Sequence, residues 1–231
     1  MEPQLRRAQR VLESPTVRRD RRDSEHVRLL MRLSLAADAN CVDVGANVGD
    51  VLSEIVEIAP QGRHVAFEPL PDLARRLAER FPHVDVRASA LSDEPGEAVF
   101  HRVRHAHSRS GLSARDHGDA EVERFAVHVE TLDAALPADY RPALVKIDVE
   151  GAEVGLLRGA TRVLEAHRPT LVIEHSLDAS AHFGTTTRDV HELLSARGYR
   201  VFDIDGNGPL SLAGFEATTR AGRIWTFVAH G

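Results

Sequence analysis

The chain has 231 residues, of which 42% are hydrophobic, and it carries a formal net charge of −6 at pH 7. The length predicts one α/β domain over residues 39–231, preceded by a helical extension over residues 1–38. The negative charge argues against a nucleic acid as the main partner, because such binding depends on Lys and Arg side chains that neutralise phosphates. No apolar run is long enough for a membrane-spanning helix, and the single cysteine, Cys41, excludes an internal disulfide. We therefore expect a cytoplasmic protein without a membrane partner.

The extension mixes arginines with acids, which is typical of a solvated helix rather than of a nucleic-acid-binding arm. Leu29, Leu30, Leu33 and Ala37 recur at helical spacing and predict the face that packs on the domain. Two further roles for the extension stay open: the leucines could join subunits in a homo-oligomer, or the extension could cover an active site.

From residue 41 onward, β-rich runs alternate with amphipathic segments, as in βαβ units. Strands are predicted at 42–45, 64–67, 84–88, 143–149, 170–175, 199–204 and 224–229. Helices are predicted from residue 52 to residue 59 and over 71–80, 154–166 and 185–197, with a hairpin of 98–103 and 125–129. This order predicts the α/β fold class, with a Rossmann-like, doubly wound, seven-stranded sheet in a three-layer αβα arrangement.

A glycine turn follows the first strand, and it predicts a nucleoside-binding site. Gly45 allows the sharp turn, and Gly49 is expected to let a ligand approach the N-terminal N–H groups of the next helix. A dinucleotide site prefers glycine at position 47. Asn47 therefore favours a cofactor with a ribose and an amino-acid tail over a pyrophosphate cofactor. Asp43 is expected to orient the turn or to contact a ligand ammonium through water.

Glu68 ends the second strand, where an acid accepts hydrogen bonds from both ribose hydroxyls. A carboxylate at this position disfavours NADP, since it would repel the 2′-phosphate. Ser89 and Ala90 follow the third strand beside the same crevice, where an adenine is expected.

The motifs in chain order are Asp43 to Gly49, Phe67 to Pro69, Ala90 to Asp93, Thr131 to Asp133 and Lys146 to Glu153. In this order and spacing the chain resembles the FkbM family of S-adenosylmethionine-dependent methyltransferases over about residues 40–175. The resemblance implies a seven-stranded sheet whose last strand is antiparallel, and methyl transfer usually to a hydroxyl oxygen. It also implies that Asp43, Gly45, Asn47 and Gly49 line the methionine side, Glu68 the ribose, and Ser89 and Ala90 the adenine. Ala46, Pro69 and Asp148 complete the expected cofactor-binding set.

A second group of polar residues lies at two neighbouring strand ends. Lys146 and Asp148 alternate with apolar residues, so both side chains point to one side of the fourth strand. Glu174 and His175 end the fifth strand, and Glu174 is expected to face the same crevice as Asp148. We expect these four residues to be catalytic.

The sequence leaves two ways to activate a hydroxyl acceptor. His175 or Glu174 acts as the general base, or Asp148 and Glu174 hold a Mg²⁺ ion that lowers the pKa of the acceptor. Glu150 and Glu153 suit either the start of the next helix or a role in the site.

Five histidines surround the hairpin: His101, His105, His107, His117 and His128. Without cysteines or a histidine pair one helical turn apart, a solvated loop is favoured over a zinc site. The segment 108–112 is expected to cover the cofactor, which would let His105 or His107 reach the acceptor.

The sequence therefore predicts an S-adenosylmethionine-dependent O-methyltransferase that acts on a hydroxyl of a small molecule, such as a sugar or a secondary metabolite. One alternative is an NAD-dependent oxidoreductase, which Asn47 and the lack of a Tyr-x-x-x-Lys motif disfavour. The other is a binding module without catalysis. The acceptor walls are expected from residues 1–38, 101–124 and 176–186.

Overall fold

The computed structural model describes residues 15–103 and 122–231, which form a central sheet with helices on both faces. The helices are α1 (Pro15–Ser34), α2 (Asp50–Ile58), α3 (Pro71–Arg80), α4 (Leu132–Ala135), α5 (Glu153–Arg158), α6 (Thr161–His167), α7 (Leu177–Ala181), α8 (Thr187–Ala196) and α9 (Leu212–Arg220). The strands are β1 (Asn40–Val44), β2 (His64–Phe67), β3 (Asp85–Arg87), β4 (Ser89–Leu91), β5 (Gly96–Val103), β6 (Val122–Glu130), β7 (Pro142–Ile147), β8 (Thr170–Glu174), β9 (Arg200–Asp203) and β10 (Thr226–His230).

The main sheet has seven strands in the order β3-β2-β1-β7-β8-β10-β9. Its strands are parallel from β3 to β8, whereas β10 runs antiparallel to both β8 and β9. The predicted Rossmann-like fold with an antiparallel last strand is thus confirmed. The hairpin of β5 and β6 belongs to a separate three-stranded sheet, which β4 joins by pairing parallel to β6.

The two sheet faces follow from the period of two along the buried strands. On β7, Val145 and Ile147 pack in the core beneath α5, α6 and α8. Leu144 points the other way and packs with residues of α1 and α2. Lys146 alternates with Val145 and Ile147, so its side chain points to the α1 and α2 face. Helices therefore cover both faces in three layers.

Helix α1 packs on the sheet through a face that only partly matches the predicted one, in which Leu30 packs against the core as expected. Leu29 and Leu33 are 55% and 79% exposed, and the predicted packing face is wrong for them. The buried residues are Asp23, Val27 and Met31, at i, i+4 spacing. The apolar spacing alone does not distinguish leucines that face the sheet from leucines that face solvent.

Ion pairs add to the attachment of α1. Arg32 contacts Glu57 of α2 at 2.7 Å, and Arg28 pairs with Glu54 of the same helix. His26 lies 3.3 Å from Asp205, in the turn that follows β9. None of the helices in the described ranges has the length and apolar character that would let it cross a membrane.

The predicted helix over 154–166 is broken into α5 and α6 at Gly159. A Cβ on Gly159 would lie 2.1 Å from the carbonyl oxygen of Ser92, so the chain needs glycine there. The carboxylate of Asp133 accepts hydrogen bonds from the N–H groups of Arg162 and Val163 at 2.7 and 2.9 Å. These bonds stabilise the N-terminus of α6.

Candidate active site

The turn after β1 lies directly against the end of β7. Gly45 has a φ of +75°, and a Cβ there would be 1.9 Å from the carbonyl oxygen of Asp148. The N–H of Asp148 donates to the carbonyl of Val44 at 3.1 Å. Glycine is required at position 45 by both its φ and this contact, and the contact brings Asp148 to the turn.

Gly49 serves the packing of helices rather than the approach of a ligand. Its φ is +85°, and a Cβ there would meet Leu77 at 2.7 Å and Phe81 at 2.9 Å, both on the α3 side. Ala46 packs in the same cluster, with Leu52 and Leu77. The expectation that Gly49 opens the turn to a ligand is therefore not supported by its surroundings.

Glu68 connects the end of β2 to the glycine turn. Its Oε2 accepts the N–H of Asn47 at 2.8 Å, and its Oε1 accepts the N–H of Leu70 at 2.9 Å. Burial raises the pKa of Glu68, and these two N–H groups oppose the shift. An ionised carboxylate has about four acceptor sites, so each oxygen of Glu68 can still accept a hydrogen bond from a hydroxyl group. Asn47 has a φ of +49°, and within the described residues its buried Oδ1 has no hydrogen-bond partner.

A cavity of about 650 Å³, its open mouth included, lies beside this turn. Of the described residues, seven predicted cofactor-binding residues line it: Gly45, Asn47, Glu68, Pro69, Ser89, Ala90 and Asp148. Asp43, Ala46 and Gly49 are not among its lining residues. We call this space the cofactor cavity.

The cofactor cavity also has an apolar wall that the sequence analysis missed. It consists of Leu70, Leu73, Leu91 and Phe100. Phe100 alternates with exposed residues along β5 and packs with Leu70 and Leu73, so the strand period was the available signal. At the edge of this wall, the hydroxyl of Ser89 donates to Glu130 Oε1 at 2.5 Å.

Lys146 is buried at the centre of the turn. Its Nζ donates to the carbonyl of Gly45 at 2.8 Å and to Asp148 Oδ2 at 3.3 Å, and lies 3.4 Å from Asp43 Oδ1. Burial on its own would lower the pKa of Lys146, but the nearby carboxylates of Asp148, Asp43 and Glu174 raise it overall. Lys146 therefore remains an ammonium, which holds the turn and Asp148 together and does not act as a base.

A second and larger cavity lies on the other side of Asp148, beneath α1. It holds about 2190 Å³, its open mouth included, and Trp225 and residues of α1, α2 and the ends of β7 and β8 line it. We call it the acceptor cavity. Asp148 and Glu150 line both cavities, so the two spaces meet at the end of β7.

The lining of the acceptor cavity is strongly acidic. Its described residues include eight carboxylates but three Arg or Lys side chains. The acids are Asp20 and Asp23 of α1, Asp50 and Glu54 of α2, and Asp148, Glu150, Glu153 and Glu174. The sequence analysis did not foresee the contribution of α1, because residues so far apart in the chain carry no local sign of meeting.

Glu174 is partly exposed and lies among these acids. Burial and the carboxylates of Asp148, Glu150 and Asp20 raise the pKa of Glu174 to about 8, against the opposing charge of Lys146. The group is therefore mostly protonated at neutral pH. Once it loses its proton, it is a stronger base than an ordinary carboxylate.

His175 does not fit the expected role of a general base. Its ring Nδ1 lies 3.1 Å from Glu153 Oε2, and its Nε2 lies 3.0 Å from Thr187 Oγ1. The side chain is 0% exposed. Both ring nitrogens are thus engaged inside the protein, and an acceptor cannot reach them.

The donor set does not fit the expected Mg²⁺ ion. In the described part of the chain, no three His, Cys, Asp or Glu side chains are grouped so that they could hold a metal. Asp148 Oδ2 already contacts the ammonium of Lys146. His105, His107, His117 and the segment 108–112 lie outside the described residues.

The sheet order, with β10 antiparallel between two parallel strands, and the cavity at the ends of β1 and β2 define a Rossmann-like methyltransferase fold. The sequence model of the methyltransferase FkbM domain matches residues 43–201, and the chain belongs to this family. The predicted family is thereby confirmed, and a methyltransferase is favoured over the oxidoreductase alternative.

Two curated proteins are similar to this chain. The AMB antimetabolite synthetase AmbE of Pseudomonas aeruginosa is 30% identical over 64% of this chain, which spans 8% of that protein. The hexuronic acid methyltransferase AglP of Haloferax volcanii is 27% identical over 77% of this chain and 70% of its own length. Among solved structures, a methyltransferase FkbM from Methylobacillus flagellatus has a TM-score of 0.53 at 19% identity, covering 85% of this chain and 44% of that one. This structural likeness supports the fold.

Proposed function

We propose that the chain is an S-adenosylmethionine-dependent O-methyltransferase that acts on a hydroxyl of a small molecule, such as a sugar or a secondary metabolite. The observation that carries the proposal is the meeting of two cavities at Asp148 and Glu150. One cavity suits a nucleoside cofactor, and the other, larger one is open to an acceptor. Methyl transfer needs such a junction, because the acceptor oxygen must approach the methyl group in line.

The residues of the cofactor cavity fit S-adenosylmethionine. Glu68 can accept the ribose hydroxyls, and the unpartnered Oδ1 of Asn47 offers an acceptor for a donor on the ligand. The apolar wall of Leu70, Leu73 and Phe100 suits the adenine. When bound, S-adenosylmethionine supplies an electrophilic methyl group on a sulfonium.

We propose that Glu174 accepts the proton of the acceptor hydroxyl and that Asp148 orients this hydroxyl. Lys146 keeps Asp148 in place through its Nζ contact at 3.3 Å. An ionised Glu174 is repelled by Asp148, Glu150 and Asp20. Proton uptake from the hydroxyl relieves that repulsion, which makes Glu174 an effective general base. His175 and Mg²⁺ have no part in this scheme, for the reasons given above.

The names of the relatives support a small-molecule acceptor. AglP is a methyltransferase of hexuronic acid, and AmbE is an antimetabolite synthetase of which this chain matches a small part. From these relatives we infer only the general class of acceptor, which is a sugar or a secondary metabolite, and no particular compound.

Calorimetry with S-adenosylhomocysteine, followed by transfer of a labelled methyl group to a panel of hydroxyl compounds, tests the proposal. We expect binding with one site per chain and transfer that is insensitive to EDTA. No cofactor binding would refute the proposal. Binding without transfer to any compound would favour the binding module, and loss of activity on chelation that Mg²⁺ restores would refute the metal-free scheme.

A further inference from the structure

The cations at the acceptor cavity are all engaged by the protein itself. Arg28 pairs with Glu54, and Lys146 contacts Asp148. Arg80 donates to the carbonyl of Val48 at 3.0 Å. Two of these pairs each offset one carboxylate, Arg22 pairs with Asp23 from outside the lining, and Glu174 is mostly protonated. The other acids still leave the cavity with an excess of negative charge.

Asp23 is an acid of this lining whose carboxylate is only partly satisfied by the protein. The residue is 3% exposed and lines the cavity. Its Oδ1 accepts a hydrogen bond from Arg22 at 2.9 Å, but within the described ranges its buried Oδ2 has no hydrogen-bond partner. A buried carboxylate oxygen without a donor is costly, and a donor in the cavity would remove that cost.

Asp20 adds a second carboxylate on the same helix. Burial and the neighbouring Asp23 raise the pKa of Asp20, and Asp20 in turn helps to raise that of Glu174. Acids on α1 and at the end of β8 therefore act on one another across the cavity. Mutual repulsion of this kind is relieved when a cation binds between the carboxylates.

We propose that the acceptor is a cation, a small molecule with a protonated amine beside the hydroxyl, and that Asp20 and Asp23 of α1 bind the amine. This inference rests on the proposed function and specifies its substrate class. An anionic acceptor such as a hexuronic acid would instead be repelled by Asp20 and Asp23. Helix α1 then determines specificity, and the bound ammonium favours the ionised form of Glu174 that accepts the hydroxyl proton.

Trp225 makes the inference testable, because it is the only tryptophan of the chain and lines the acceptor cavity. Its fluorescence is followed while glucosamine, N-acetylglucosamine or glucuronic acid is added in the presence of S-adenosylhomocysteine. The three probes share a sugar ring and carry a positive, a neutral and a negative group, respectively. We expect glucosamine to bind at least about tenfold more tightly than N-acetylglucosamine, and glucuronic acid to bind most weakly.

The Asp20→Asn and Asp23→Asn variants should each reduce the preference for glucosamine by about threefold or more. Glu25→Gln is the matched control, since Glu25 is an exposed acid of α1 outside the cavity lining. It should keep the preference. Asp20 is exposed to solvent, so its variant is expected to fold even if Asp23→Asn does not.

Equal affinity for glucosamine and N-acetylglucosamine, tighter binding of glucuronic acid, or no saturable response to glucosamine would overturn the inference. A saturable response to MgCl₂ that competes with glucosamine and is lost in Asp23→Asn would overturn it in favour of a metal site. Calorimetry with S-adenosylhomocysteine separates the two proposals: retained cofactor binding without charge preference refutes the cationic acceptor, whereas no cofactor binding refutes the proposed function.

Discussion

Lys146 lies opposite Asp43 in the register of β7 and β1, with its Nζ 3.4 Å from Asp43 Oδ1. Both residues are buried, at 6% and 1% exposure. The same ammonium contacts the carbonyl of Gly45 and the carboxylate of Asp148. A compact ammonium can make these contacts within one buried space, whereas a planar guanidinium is larger and has fixed donor directions. This packing gives a physical reason for the only lysine in an arginine-rich chain.

Replacing Lys146 by Met should destabilise the protein by about 3–5 kcal/mol, because Asp43 would be left buried without its cation. Urea unfolding followed by circular dichroism measures the change in the free energy of unfolding. The double variant Lys146→Met with Asp43→Asn removes both charges and should recover part of the loss. If the single variant lost less than about 1 kcal/mol, the buried pair would not be what holds the turn.

Replacing Glu68 by Ala should weaken the binding of S-adenosylhomocysteine by roughly 10- to 100-fold, because the proposed charge-assisted hydrogen bonds to the ribose would be lost. The change also frees the N–H groups of Asn47 and Leu70, so stability is measured alongside calorimetry. Glu79→Ala, an exposed acid of α3, is the control. Unchanged affinity in a folded Glu68→Ala protein would remove Glu68 from the cofactor site.

The strand pattern and its polar interruptions could be predicted because both are local. A buried strand alternates its faces with a period of two, and this period predicts that Lys146 and Asp148 share one side of the fourth strand. Glu68 is predicted in the same way, since the carboxyl end of a parallel strand faces the ligand crevice, and it lines the cofactor cavity.

Contacts between distant segments could not be predicted from one sequence. Gly159, where the predicted helix breaks, lies so close to the carbonyl of Ser92 that a Cβ would not fit, and the ring of His175 lies inside the protein between Glu153 and Thr187. Neither contact leaves a periodic signal. The apolar spacing on α1 pointed to Leu29, whereas the buried face is set by the shape of the cavity and sheet beneath it.

Replacing His175 by Ala should lower stability by about 1–3 kcal/mol, because the buried Glu153 Oε2 and Thr187 hydroxyl would lose a partner. The pH profile of kcat for the folded fraction should keep its shape, since the ring does not contact the acceptor. His83→Gln, at an exposed position, controls for loss of a histidine. Disappearance of an ionisation from the pH profile in His175→Ala would restore His175 as the base.

The pH dependence of the reaction should follow the ionisation of Glu174. The charged groups that act on this carboxyl group are Lys146, Asp148, Glu150 and Asp20. The rate of methyl transfer should rise with pH and level off above about 8, as the carboxyl group with its pKa of about 8 becomes the ionised base. Glu174→Gln should lower kcat and remove this rise. Single-turnover rates across the pH range measure both. A rise that persists unchanged in Glu174→Gln would assign the base to another residue.

The same group should also make stability depend on pH. Its pKa in the folded protein, about 8, lies above the ordinary value of 4.5, so the folded state holds the proton more tightly than the unfolded chain. The stabilisation is fully present below pH 4.5 and is lost as the pH rises through about 8. Glu174→Gln mimics the protonated form and should therefore be more stable than the parent protein above this pH. We expect a difference on the order of 2 kcal/mol, less than the full shift implies because the side chain is partly open to solvent. Urea unfolding at pH 6 and 9 measures it, with Glu79→Gln as the control, and equal pH dependence of the parent and Glu174→Gln proteins would show that the crowded carboxylates do not hold this proton.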